Sequence, residues 1–419
     1  MSTDKPTLLV TTSTFPRWSE DDEPRFVYDL SKRLATEFNI IILAPHATGA
    51  ALEEQWDGMQ IYRYRYAPEK WQTLAYNGGI SANLKRDPWK FLLLPLFFLG
   101  QWWALRKVLH QYNVDTIHAH WLIPQGLVAA FTLLGYRKNI KLVCTSHGGD
   151  LFGLQGKIST FLKRWIINHC HAITVVSQAM LLKAKELTHN QYQTIHVIPM
   201  GTDLTHTFVP NPNIKRVANQ LLFVGRLVEK KGLTYLLQAL QQLQPNFPNL
   251  ELIIAGSGPL KDQLIQQTQQ LGIAHQVKFV GRLTHTELVM LYQTATLAVF
   301  PFIQTQDGDM EGLGLVMVEA MGCGCPVIAS DLPAVRDVIN HGETGYLTEV
   351  VNSNALSAAL EFLLIQEITR QYLSTQALQY IKNYFNWQSV TQQYQKLINS
   401  TITIHSNSEF SSNNAYGNQ

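Results

Sequence analysis

Cysteine is scarce in this sequence, with four residues in 419, at Cys144, Cys170, Cys323 and Cys325. That is too few and too scattered for a disulfide framework, and the Cys323-Gly-Cys325 pair lacks the two further ligands of a zinc site. Reduced thiols in a cytosolic chain are expected. Charge is also sparse, at 15% Asp, Glu, Lys and Arg against about 25% in ordinary domains. The net charge of +2 is too small to argue for nucleic acid. There is no uninterrupted apolar run of the roughly 20 residues that a bilayer span needs. The most hydrophobic stretch, WKFLLLPLFFLGQWWAL at 89–105, contains Lys90, Pro95 and Gln101, so a transmembrane helix is not expected. The opening MSTDKPTLLVTTSTFP has no basic segment leading into a long apolar one, which argues against a secretory leader.

Apolar residues, in contrast, are plentiful: 46% hydrophobic and 10% aromatic. Such a chain buries a sizeable core and is not a disordered one. At roughly 100–200 residues per domain the length predicts two or three domains. The charge is uneven: residues 1–200 hold 21 Lys and Arg against 15 Asp and Glu, while the remainder holds 12 against 16. A basic first half could face anionic lipid or an anionic acceptor, or the asymmetry could be chance surface charge. The 89–105 stretch has two readings. Its Trp, Phe and Leu, flanked by Lys85, Arg86, Arg106 and Lys107, suit an interfacial helix. A helix buried between domains fits equally well.

Periodicity predicts an α/β chain. TLLVTT (7–12) and NIIILAP (39–45) read as buried parallel strands, with an amphipathic helix between them carrying Phe26, Leu30, Leu34 and Phe38. Strands at 114–121, 141–147, 171–177 and 195–201 alternate with helices near 126–134 and 157–169. The pattern restarts with strands at 220–227, 250–258, 277–281 and 297–301 and helices at 232–243 and onward. Two such runs in series argue for two Rossmann-like domains with parallel sheets. The linker is expected at 201–217, and the polar tail 404–419 is expected to be disordered.

Several loops at strand ends carry candidate chemistry. FVGRLVEKKG (223–232) puts Gly225 and Arg226 at a strand's carboxyl end, where ligands of such sheets bind, and Lys231 at the start of a helix. A guanidinium fork and an ammonium point charge both suit phosphate oxygens. AGSGP (255–259) holds Gly256 and Gly258, which either admit a ligand close to backbone or simply make a tight turn. MEGLGLVMVEAMGCGCPVIASD (310–331) is the strongest signal. Glu311 precedes a glycine loop, Leu313-Gly314-Leu315, that feeds a helix whose start attracts phosphate, and Glu319 follows about one turn later. Val316, Met317, Val318, Ala320 and Met321 make that helix apolar almost all round, which speaks against a solvated Glu319. Its carboxylate suits ribose hydroxyls.

Together, GRLVEKKG, AGSGP, FVGRL, the Glu311–Glu319 pair and GETGYL resemble glycosyltransferase family 4 in order and spacing, over nearly the whole chain. The resemblance implies a GT-B architecture, two Rossmann-like domains facing a central cleft. An acceptor domain is expected at 1–205 and a nucleotide-sugar donor domain at 217–384. A helix crossing back is expected at 385–403, overlapping the 380–398 stretch that resembles it. It implies a retaining, metal-independent transfer from a UDP- or GDP-sugar, with no cofactor beyond that donor. By position, Arg226 and Lys231 would hold the diphosphate, Glu311 the donor sugar, and Glu319 the ribose. Backbone amides of Leu313, Gly314 and Leu315 would meet sugar and phosphate, Gly225 and the AGSGP glycines would line the site, and Arg282 would lie near the base. His147, in CTSHGGD (144–150), resembles the family's histidine loop with the order changed, and would touch the donor sugar or leaving group. His118 and His120, one strand earlier, share a face and are expected to be mainly structural.

The chain departs from the family at its first loop. Where many members show a glycine pair, this one has TSTFPRWSEDDEPRF, with Arg17 and an acidic run at 20–23. Gly78 and Gly79 could supply the close approach instead, or sit in a plain loop. Asp307-Gly308-Asp309 is a D-x-D of the kind that binds manganese in another glycosyltransferase fold. The diphosphate charge is already met by Arg226, Lys231 and a helix start, so these aspartates are expected to read sugar or acceptor. The acceptor expected is a lipid-linked sugar or a glycan, in surface polysaccharide or glycolipid assembly. A cytoplasmic location with peripheral contact to anionic membrane through 85–107 would serve it. Competing readings are a non-hydrolysing sugar-nucleotide epimerase of the same architecture and a non-enzymatic two-domain sugar-binding protein. A dehydrogenase is disfavoured, because no G-x-G-x-x-G follows the first strand.

Overall fold

A computed structural model of the chain describes residues 5–19, 21, 23–188 and 195–403; the expected tail at 404–419 lies outside them. The chain divides into two compact units. The first takes residues up to Val176, Leu181–Ile198 and the segment from Thr391; the second takes Ser177–Met180 and Pro199–Val390. Both are α/β.

The elements of the first unit are β1 (Thr7–Thr11), α1 (Phe26–Leu34), β2 (Asn39–Pro45), β3 (Glu53–Trp56), β4 (Met59–Tyr64), α2 (Ile80–Arg86), α3 (Leu93–Gln111), β5 (Thr116–His120), α4 (Leu127–Leu134), β6 (Lys141–Ser146), α5 (Gly149–Phe152), α6 (Lys157–His169), β7 (Ala172–Val175), α7 (Gln178–Thr188) from Leu181 onward, and β8 (Ile195–Val197). Its sheet runs β3-β4-β2-β1-β5-β6-β7-β8. All neighbours are parallel except β3, which pairs antiparallel with β4. The strand order reverses between β1 and β5. A ligand of such a sheet sits beyond the carboxyl ends of the two strands at the reversal.

The second unit contains β9 (Gln220–Val224), α8 (Leu233–Leu243), β10 (Glu251–Ala255), α9 (Lys261–Gln270), β11 (Val277–Gly281), α10 (His285–Thr294), β12 (Leu297–Phe300), α11 (Leu315–Gly322), β13 (Val327–Ser330), β14 (Tyr346–Thr348), α12 (Ser353–Ile365) and α13 (Glu367–Tyr384). Its six strands run β11-β10-β9-β12-β13-β14, all parallel. The reversal here lies between β9 and β12, which pair through Leu221–Leu297 and Leu222–Ala298. These strands are nearly continuous apolar runs because both sheet faces are covered by helices. Phe223, Leu252, Ile254, Leu236, Leu237 and Leu240 are all fully buried there.

One expectation is corrected, and the helix expected over 89–105 gains detail. The stretch 380–398 is not one helix: α13 ends at Tyr384, and a separate helix, α14 (Trp387–Thr403), starts after Asn386, whose side chain accepts from Ser389 N at 2.8 Å. From Thr391 onward α14 belongs to the first unit. The 89–105 stretch is not interrupted by its polar residues either. With the turn before it, α3 forms a continuous helical segment, Pro88–Gln111, of 24 residues, long and apolar enough to cross a membrane. Pro95 is tolerated because it falls where the Pro88–Leu92 turn gives way to α3, in the first turn of that helix, a position that suits proline. Gln101 is fully buried and donates to Thr11 Oγ1 at 3.2 Å, and buried Lys90 pairs with Asp87 at 2.8 Å. The helix is thus two-faced. Leu93, Phe97, Leu105 and Leu109 are buried, while Leu92, Leu96, Leu99 and Trp103 are exposed at helical spacing.

Candidate functional site

In the second unit the loops after β9, β10 and β11 lie side by side. Gly225 N donates to Ala255 O at 2.9 Å, Leu227 N to Ser257 O at 3.0 Å, and Gly256 N to Gly281 O at 2.7 Å. The glycines are what allow this. A Cβ on Gly256 would stand 1.9 Å from Gly225 O, and one on Gly258 2.3 Å from Leu227 O. Their first use is therefore backbone against backbone, within the protein. Arg282 is exposed on the third loop, and its Nε donates to Ser257 Oγ at 2.8 Å. Arg226 is exposed on the first.

Lys231 and Glu311 meet at 2.6 Å, from either side of the β9/β12 reversal. Lys231 is almost fully buried, with Nζ 4.4 Å from the Phe302 ring centroid. A Cβ on Gly225 would lie 3.6 Å from Lys231 Cε, and one on Gly314 3.5 Å from Glu311 Cγ. Gly314, in the left-handed region at φ 85°, opens α11 with no side chain capping its first amides. Burial alone would raise the Glu311 pKa, but the Lys231 and Lys230 cations overcome it and hold the carboxyl below its usual range. Lys230 in turn pairs with Asp309 at 3.1 Å, and Thr305 donates to Asp307. Among the described residues no group of three or more His, Cys, Asp and Glu side chains is placed to hold a metal.

Glu319 stands further along α11, partly buried, accepting from Tyr292 OH at 3.1 Å. Desolvation pushes its pKa up to about 7, against the lowering pull of Tyr292 and Lys231. Its neighbours Met317, Val318, Ala320 and Met321 are buried, and Leu313 is buried while Leu315 is only partly so. Tyr292 escapes sequence reading; a tyrosine on the apolar side of α10 carries no signal until the helix is packed.

In the first unit, β5 and β6 bring three histidines together. His118 and His120 share a face of β5, their ring centroids 4.2 Å apart. His118 bonds Thr145 Oγ1 at 2.7 Å, and Thr145 bonds Thr174 at 2.5 Å, with Tyr394 of α14 beside them. His120 Nδ1 lies 2.9 Å from His147 Nε2, just past the end of β6. Phe26 and Trp121 flank the His147 ring, each with centroids 4.8 Å away. Buried Asp150 fixes the loop by accepting from Leu122 N at 2.6 Å and Ser146 Oγ at 2.7 Å. Burial lowers the His147 pKa to about 3 and that of His120 well below its usual value, so both rings are neutral hydrogen-bonding groups. His120, expected to be mainly structural, is thus in hydrogen-bond contact with His147.

The first loop is built by its own charges. Arg17 makes a bidentate pair with buried Asp21, and Glu23 accepts from Asn77 N at 2.6 Å. Gly78 and Gly79 both have positive φ, and α2 starts directly after Gly79.

Residues 24–206 match the family model for Glycosyltransferase Family 4, and 207–380 match that for Glycosyl transferases group 1. The chain is 29% identical to glycogen synthase of Mycobacterium tuberculosis over 287 residues, 67% of each chain. It is 26% identical over 271 residues to the GDP-mannose-dependent alpha-(1-6)-phosphatidylinositol monomannoside mannosyltransferase of Mycolicibacterium smegmatis, 62% of this chain and 70% of that one. Among solved structures, sucrose-phosphate synthase of Thermosynechococcus elongatus aligns with TM-score 0.77 at 20% identity, over 96% of this chain and all of that one. Anabaena HepE in complex with UDP-glucose aligns with TM-score 0.70 at 18% identity, over 94% and 99%.

Proposed function

We infer the reaction from one premise: the chain belongs to glycosyltransferase family 4 and is a transferase of the GT-B type. We propose that it moves a sugar, with retention, from a UDP- or GDP-sugar to a lipid-linked or glycan acceptor. The observation that carries the donor half is the Lys231–Glu311–Gly314–Glu319 cluster at the β9/β12 reversal. As the glycosidic bond breaks, negative charge grows on the leaving diphosphate. Lys231, Arg226 and the uncapped amides that begin α11 supply fixed positive charge for it. Glu311, held ionised beside Lys231, is assigned to the donor sugar's hydroxyls, and Glu319, steadied by Tyr292, to the ribose. Arg282 is assigned to the base. Gly225, Gly256 and Gly258 shape the loops beneath, while Leu313 and Leu315 flank Gly314. His147, neutral and oriented by His120, is assigned a hydrogen bond to a sugar hydroxyl or the leaving oxygen. No second carboxylate is assigned to attack the sugar, so the leaving phosphate oxygen is the base toward the acceptor.

The lysines already near the site leave no need for a metal, and metal independence is part of the proposal. Calorimetric titration with UDP, GDP and ADP in EDTA, at pH 6 and pH 8, tests it. With the Glu319 pKa about 7, roughly a tenth of the carboxylates are ionised at pH 6 and nine-tenths at pH 8. The ribose needs the ionised acceptor, so one nucleotide is expected to bind up to about tenfold tighter at pH 8. Glu319→Gln should lose that difference, and Glu319→Ala should lose most of the affinity. A pH dependence unchanged in Glu319→Gln, or a requirement for added Mg²⁺, would count against these assignments.

For the acceptor, the exposed apolar face of α3 and the cations Lys85, Arg86, Arg106 and Lys107 around it support peripheral contact with anionic lipid on the cytoplasmic membrane face. The names of the M. smegmatis and M. tuberculosis relatives carry a lipid-linked and a glycan substrate respectively. Neutralising all four cations is expected to cut co-sedimentation with phosphatidylglycerol vesicles severalfold while leaving nucleotide binding intact. Unchanged co-sedimentation would remove the membrane contact from the proposal.

A further inference from the structure

Between α3 and the β2–β4 side of the first unit lies a groove of about 610 Å³, within the range of small-molecule sites, roughly 300–1,000 Å³. Tyr62 and Tyr66 line it from the sheet side, and Leu96, Leu99, Trp102 and Trp103 from the helix. Leu99 and Trp103 are also among the exposed residues of α3, so the groove opens along the face assigned to the membrane. Two cations stand on its rim: Arg65, exposed just beyond β4, and Lys107, 67% exposed and only 3.9 Å from Glu53. Arg106 lies nearby, its guanidinium carbon 5.2 Å from the Trp102 ring centroid.

The topology gives this placement a direction. β4 runs parallel to β2, β1, β5 and β6, so Tyr64, Arg65 and Tyr66 end at the same sheet edge as His120 and His147. We propose that the groove holds one hydrocarbon chain of an anionic lipid, the lipid part of the acceptor, with its phosphate beside Arg65. An apolar wall lined by aromatic side chains, opening onto an apolar helix face and rimmed by cations, matches a long alkyl tail joined to an anionic head. A soluble glycan would leave that wall unused. The assignment rests on the lipid-linked reading of the acceptor and adds to it where the tail goes.

The test uses a soluble probe, monomeric n-dodecyl phosphate, with n-butyl phosphate for comparison, by calorimetry on the full chain. Wild type should bind dodecyl phosphate in a saturable 1:1 manner, at least tenfold tighter than butyl phosphate. Ala104, partly exposed on the groove wall, leaves room for a larger side chain, and Ala104→Trp should abolish that preference while UDP or GDP binding stays unchanged. Because this variant could fold poorly, a second readout uses 11,12-dibromododecyl phosphate. It should quench tryptophan fluorescence at contact, and Trp102→Phe/Trp103→Phe should lose most of the quenching. Equal binding of the two phosphates, or quenching retained in the double variant, overturns the groove assignment even where nucleotide binding upholds the transferase. Loss of nucleotide binding with the chain-length preference intact would instead strike the donor reading and leave the groove standing.

Discussion

Replacing Lys231 with alanine is expected to lower kcat/KM by about two to three orders of magnitude. Among the described residues, Lys231 is the cation that is both almost fully buried and in contact with the Glu311 carboxylate. Its position is fixed by the Phe302 ring below and by the turn that ends at Gly232. A donor aimed at charge that develops in the transition state, inside a site that excludes water, is worth about 3–4 kcal/mol. That is the expected loss in rate. Folding should suffer less, because Glu311 keeps the field of Lys230 and the Gly312 amide when Lys231 is gone. The decisive measurement is therefore kcat/KM set beside a thermal melt. A variant that melts near wild type yet turns over a hundredfold more slowly confirms the assignment. Near-normal turnover removes Lys231 from the machinery. Lys231→Arg separates charge from shape: a guanidinium keeps the charge but not the compact reach past Phe302, and only partial recovery is expected.

Much of this site was legible in one dimension because it is local. The loop from Glu311 to Gly314, the start of α11 and Glu319 lie within one short segment, and the β9 loop supplies Gly225, Arg226 and Lys231 together. Buried parallel strands are apolar on both faces, so β1, β2, β9, β10 and β12 announce themselves as runs. What stayed hidden depends on packing. β3 and β4 were missed because an edge hairpin reading EEQWDGMQIYRY is charged and mixed, with no clean apolar period. Pro95 and Gln101 looked like interruptions of α3, yet one sits in its first turn and the other hydrogen-bonds inward. Tyr292 meets Glu319 only once α10 lies against α11. The His120–His147 contact required knowing that β5 and β6 are neighbours with His120 opposite Thr145, a pairing that alternation within either strand does not supply. Gly256 and Gly258 carried two readings, close approach of a ligand or a tight turn, and what approaches them is carbonyl oxygen of the β9 loop, Gly225 O and Leu227 O.

Gly232→Ala should be among the most damaging single methyl additions in the second unit. Gly232 closes the turn carrying Lys230 and Lys231 and opens α8 with φ 65°. An alanine there has two separate penalties. The left-handed backbone costs a non-glycine residue roughly 1–2 kcal/mol. The methyl would also stand 1.8 Å from Pro301 O, at the end of β12. A carbonyl oxygen in a loop tied by Ile303 N to Lys230 O cannot rotate aside as a flexible side chain can. The turn must therefore shift, and overpacking of this kind costs about 1–3 kcal/mol more. At about 2–4 °C per kcal/mol the melting temperature should fall by roughly 10 °C. Gly272 provides the control. Its φ is 73°, but nothing lies within 4 Å of where its Cβ would be, so Gly272→Ala should show the conformational term alone. The difference between the two melts then isolates the contact with Pro301. Because the displaced turn carries Lys231 away from Glu311, Gly232→Ala should weaken UDP or GDP binding as well, and Gly272→Ala should not. Matching melts for the two variants would mean that the Gly232–Pro301 approach is looser than described, and that the position of Lys231 is set by α8 instead.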